Sequence, residues 1–109
     1  MDQHISEVKN TTIELMENLV GRIDSICSAD DTEKFARMIY FMDDLMALSE
    51  GLDVIKSYYK GIDLVELLEK FDMLKKAMEE SDIFLIDDIM KYELKDLLVY
   101  WIGILLDKQ

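Results

Sequence analysis

Residues 5–28, ISEVKNTTIELMENLVGRIDSICS, carry Ile5, Val8, Thr12, Leu15, Leu19, Ile23 and Ile26 at steps of three and four. Side chains so spaced share one face of an α-helix, because the helix closes a turn about every 3.6 residues. Met16, Val20 and Cys27 widen the stripe, while Glu7, Glu14, Glu17 and Asp24 fall mostly outside it. The segment reads as a long amphipathic helix with one apolar side to bury.

The same pattern recurs three times. Ala29-Asp30-Asp31-Thr32 ends the first helix and starts the second, since an Asp side chain can accept from the free amides of a helix start. Phe35, Met38, Met42, Leu45, Leu48, Leu52, Ile55 and Tyr59 then continue at helical spacing through Gly51. One long helix to about residue 60, bent at Gly51, is expected, with two shorter helices parting at Gly51 as the alternative. Gly61 is the expected stop and Asp63 the expected cap of a third helix, with Leu64, Leu67, Leu68, Phe71, Leu74 and Met78 inward. Ser81-Asp82 caps a fourth, reaching residue 106, with Ile83, Ile86, Met90, Leu94, Leu97, Trp101, Ile104 and Leu105 inward. Connections this short make successive helices antiparallel. The expected fold is all-α: an antiparallel up-and-down four-helix bundle forming one domain over residues 1–109.

Composition agrees. Proline is absent, glycine occurs four times and half the residues are apolar, which disfavours strand turns and disorder alike. With 24 acidic against 12 basic side chains the formal charge is −12. Phosphate backbones and anionic membrane surfaces both repel such a chain, so neither nucleic acid nor a membrane is an expected partner. No apolar run approaches the ~20 residues of a membrane-crossing helix. Cys27 is alone, and Met1-Asp2-Gln3-His4 lacks the basic start of a secretion signal; a cytoplasmic location is expected.

Chemistry-bearing constellations are missing. His4 is the only histidine and lies far along the chain from Cys27, whereas a nucleophile–base pair needs hydrogen-bond contact. Bundle di-metal sites need Glu-x-x-His pairs, and calcium loops need alternating oxygen ligands around a glycine. Neither pattern is present, and no cofactor is expected. Asp43-Asp44 and Asp87-Asp88 read as solvated faces. Glu93 is different: it falls close to the seam of Ile86, Met90, Leu97 and Ile104, where a carboxylate must find a partner or take up a proton. It is the candidate buried acid, with a hydrogen bond inside the bundle as the simpler role.

The stretch LLVYWIGILL, residues 97–106, has no charge and is apolar around its circumference. Helices of that kind are normally covered on every side, here by a second subunit or a partner protein. Wrapping of this end by the first three helices is the competing expectation. Leu98, Val99, Tyr100, Trp101, Ile102 and Leu106 are the candidate interaction residues, with Tyr58 and Tyr59 joining them because aromatics favour interface cores.

Asp87-Asp88-Ile89-Met90-Lys91-Tyr92-Glu93-Leu94, followed by Trp101, resembles the C-terminal signature of an uncharacterised family of small acidic helical bacterial proteins. Leu48-Ser49-Glu50-Gly51-Leu52-Asp53 is similar to the middle of such proteins. The resemblance implies a helical bundle and no particular activity. The functional expectation is a non-enzymatic protein–protein interaction module, an adaptor, chaperone or regulator, that self-associates or binds a partner through its C-terminal helix. The alternative is an acidic immunity-type inhibitor presenting Asp43, Asp44, Asp87 and Asp88 to a basic site on a nuclease or toxin.

Overall fold

Asp30, Asp63 and Asp82 each place a carboxylate oxygen against a free amide: Glu33 N at 2.9 Å, Val65 N at 3.0 Å and Leu85 N at 3.1 Å. Each cap satisfies a donor that the opening turn of a helix leaves without a partner. In the computed structural model, which describes residues 3–107, these caps start α2 (Asp31–Ile55), α3 (Leu64–Glu79) and α4 (Ile83–Asp88), after α1 (Gln3–Cys27). α4 passes directly into a π-helical stretch, Ile89–Leu94, and then α5 (Lys95–Leu106), so the three make one rod. α1 packs on α2 and α5, and α3 packs on α2 and on the first half of the last rod. The result is an all-α four-helix bundle. It measures 44 × 21 × 20 Å, its long axis set by 25-residue helices that each rise about 38 Å.

Between α3 and α4 the chain reverses on Ser81, whose φ of 54° lies in the left-handed region. The amides of Ser81 and Asp82 return to the carbonyls of Met78 and Ala77, which closes the last turn of α3.

α2 runs uninterrupted through Gly51 and stops at Ile55, five positions short of the expected end. Lys56–Tyr58 add a single 3-10 turn, Tyr59 is extended, and Gly61 turns the chain with a φ of 94°. The sequence offers two reasons for Gly51, a bend or a break, and the structure supplies a third. A Cβ there would sit 2.9 Å from Oγ1 of Thr12 on α1, a residue only 4% exposed whose hydroxyl donates to the Val8 carbonyl. Gly51 is the point where two helix backbones pack closely. Gly51→Ala should therefore lose about 1–2 kcal/mol in chemical denaturation, despite alanine's better helix propensity. Adding Thr12→Ala should return the stability to the parent's value or above. A stabilised single Gly51→Ala variant would show that the crossing has room.

The π-helical stretch has a cause legible in the side chains it serves. From Ile86 the buried positions step to Met90, Leu94 and Leu98, three successive steps of four, and then to Trp101 and Leu105. In an α-helix each step of four overshoots a full turn by about 40°, so three in a row would carry Leu98 off the core. The π turn holds one more residue than an α turn and absorbs the drift. Its bond is explicit: the Lys95 amide donates to the Met90 carbonyl, five residues back. Without it Glu93 would lie within about 60° of Met90 and close to the inward seam. The chain gives up some helix geometry to keep a carboxylate out of its core.

Candidate docking surface

The C-terminal rod divides the candidate interaction residues in two. Leu98 and Trp101 are both 0% exposed, so they belong to the bundle's own core and are withdrawn from the docking set. For Leu98 the reason is the π-turn rotation, while Trp101 stands on the inward stripe that its spacing already gave it. The Trp101 indole Nε1 is buried with no hydrogen-bond partner among the described residues, so its place in the core rests on its large apolar area. Val99, Tyr100 and Leu106 are each more than half exposed, and Ile102 is half-buried. Ile104, expected inward, is also only half-buried. One face of α5 is thus covered, by α1, and the covering does not extend to the other face.

Tyr58 and Tyr59, distant in sequence, do come to this place. A Cβ on Gly61 would meet Cδ1 of Ile104 at 3.0 Å and the Tyr100 hydroxyl at 3.4 Å, so the loop after α2 lies directly against α5. Gly61 is needed there for its positive φ and for the close approach. Tyr58, Tyr59, Lys60, Ile104 and Asp107 line one open depression beside the rod. Tyr58 is 55% exposed, while Tyr59 is half-buried and carries the Lys9 ammonium 5.7 Å from its ring centroid. Tyr58, Tyr59, Tyr100 and Ile104 thus share one surface bordered by Lys60 and Asp107, and α5 carries no charge between Asp96 and Asp107.

Glu93 is not the buried acid expected of it. Its side chain is 41% exposed and lies 3.3 Å from the Lys70 ammonium on α3. The extra residue in the π turn moves it off the seam, and an exposed pair of this kind contributes about 0–1 kcal/mol. Among the described residues the buried charge is Lys34, a residue that helical periodicity alone does not single out. Its side chain is 4% exposed, and its ammonium donates to both carboxylate oxygens of Asp87 at 2.9 Å. The signal was present: Lys34 stands four positions before Met38 on the inward stripe of α2.

Cys27 sits beside the same carboxylate. Burial, then the charge of Asp87 and a hydrogen bond to it, push its pKa from 9.0 up to about 11. It is therefore a thiol at neutral pH and a poor nucleophile. His4 lies near the other end of α1, roughly 35 Å away along the helix, and lines a groove with Glu7, Thr11, Leu15 and Gly51. The two cannot form a catalytic pair. Among the described residues no cluster of three or more His, Cys, Asp and Glu could hold a metal, and no helix is long and apolar enough to cross a membrane.

Of the four acids that an inhibitor would present, two are already engaged. Asp44 is paired with Arg22 at 2.6 Å and Asp87 with Lys34. Asp43 lines a shallow groove between α2 and α3 with Ile39, Met42, Phe71, Lys75, Met78 and Glu79. Periodicity also gave no warning of Phe84, which is 84% exposed in the first turn of α4. Compared with known protein families, with curated proteins and with solved structures, the chain finds no match.

Proposed function

We propose that this chain is a non-enzymatic protein–protein interaction module that docks through the outer face of α5 and the tyrosine loop beside it. The observation that carries the reading is the joining of two sequence-distant segments into one aromatic-rich surface, bordered by Lys60 and Asp107, on a chain of net charge −12. Large exposed apolar patches are uncommon on monomers, and aromatics framed by polar residues are typical of interface cores. The raised pKa of Cys27 also supports this reading, since it leaves the only thiol without the activation that nucleophilic catalysis requires. A lone, half-buried thiol suits a reducing cytoplasm as the place of work.

An acidic inhibitor of a basic site draws less support, because Asp44 and Asp87 are committed to Arg22 and Lys34. The test is co-purification from native cells with the parent chain and with Val99→Glu/Leu106→Glu, two positions that are more than half exposed. The double variant should fold normally and lose the proteins, or the second copy, that accompany the parent. Retention of the same companions by the double variant would overturn the proposal.

A further inference from the structure

We infer that the groove between α2 and α3 is a second docking surface, separate from the α5 face, and that its occupant is a basic amphipathic helix of a partner protein. α2 is apolar on more than its inward side. Phe35, Ile39, Met42 and Met46 follow one another at steps of four, three and four, a stripe of their own beside Met38, Phe41, Leu45 and Leu48. Packing covers only part of it: Met42 is buried and Phe35 half-buried, while Ile39 and Met46 are exposed. Phe71 and Met78 on α3 line the same groove and are themselves only half-buried. α1 supplies the contrast, since among the described residues it exposes no large apolar side chain. Apolar ridges at helical spacing on two parallel walls receive side chains of the same spacing, which is what a third helix presents. Met42 and Met78, unbranched and flexible, let the floor adjust to what enters.

Charge sets the sign of the partner. Asp43 stands on the α2 wall and Glu79 on the α3 wall, both exposed, and neither forms an ion pair among the described residues. The two cations of α2 are spent elsewhere, Lys34 on Asp87 and Arg37 on Glu33. Lys75 is the one cation lining the groove, against two acids, on a chain of net charge −12. A helix with Lys or Arg on both flanks of an apolar stripe gains an opposite charge at each wall. A second copy of this chain, with 24 acidic side chains against 12 basic, is repelled there instead.

The probe is a peptide of about 18 residues, five helical turns, with Leu along one face and Lys along the other. Fluorescence anisotropy with the full chain should show binding, and about tenfold weaker binding of a scrambled peptide of the same composition. Asp43→Lys/Glu79→Lys should weaken the complex about tenfold or more. Glu14→Lys/Glu17→Lys, an equal change of charge at exposed positions of α1, should weaken it only about twofold, through the general field. Ile39→Ser, which removes apolar surface and no charge, should also cost about tenfold. Val99→Glu/Leu106→Glu should bind the peptide as the parent does, so a failure here leaves the α5 reading untouched. Equal binding of the scrambled peptide, or equal loss in the two charge-reversed variants, would overturn the inference. So would a parent that self-associates and loses that association on Ile39→Ser, which would give the groove to a second copy.

Discussion

Deletion of Tyr92 should leave the bundle folded within about 1 kcal/mol of the parent, whereas deletion of Val99 should cost about 4 kcal/mol or more. Both residues are exposed, so the difference lies wholly in register. Removing Tyr92 takes out the one residue that the π turn exists to absorb. The inward positions after Met90 then move up by one, and the spacing from Ile86 to Leu105 becomes four, three, four, three, four. That is the alternation an unbroken α-helix needs to keep one seam inward. Removing Val99 instead turns everything after it by about 100° and carries Trp101 and Leu105 away from α1. If the helix compensated by losing its π turn, Leu94, Leu97 and Leu98 would leave in their place. Denaturant unfolding followed by far-ultraviolet circular dichroism distinguishes the two variants. Equal loss in both would mean that the π turn is not a register device.

Asp87→Ala is the second large effect, at about 3–5 kcal/mol, because it strands the ammonium of Lys34 inside the bundle. The penalty comes from the unpaired charge more than from the lost attraction. Lys34→Met/Asp87→Leu, which removes both charges, should therefore return to within about 1 kcal/mol of the parent. Additive effects in this double-mutant cycle would sink the assignment. Asp87 also faces Cys27, so Asp87→Asn should speed alkylation of that thiol at a fixed pH. It should not restore ordinary reactivity, because burial is the larger cause of the raised pKa. The sign of the pH dependence follows. The folded chain keeps a proton that the unfolded chain has already lost, so stability is fully present below pH 9.0 and falls as pH climbs toward about 11.

Much of this was legible along the chain. Four stripes of inward residues, the Asp caps at 30, 63 and 82, and the uncharged run at 97–106 all follow from side-chain spacing and hydrogen-bonding capacity, which are local properties. Tyr100, Val99 and Leu106 were found as surface candidates for the same reason. Leu98 and Glu93 were misplaced together, and by one cause: a uniform helical period was carried through residues 89–94, where the chain holds an extra residue. The three steps of four were visible, but only packing against α1 and α3 decides that the helix deforms rather than burying a carboxylate.

The order of apolar and polar residues by itself determined that four helices form, where each begins and which sides they bury, because each choice depends on neighbours within a turn or two. Tertiary structure alone decided that Lys34 pairs with Asp87, that Gly51 seats Thr12, and that Tyr58 meets the far end of the chain at α5. Those contacts join residues dozens of positions apart, and their existence depends on the relative placement of whole helices. Periodicity within one helix carries no information about that placement.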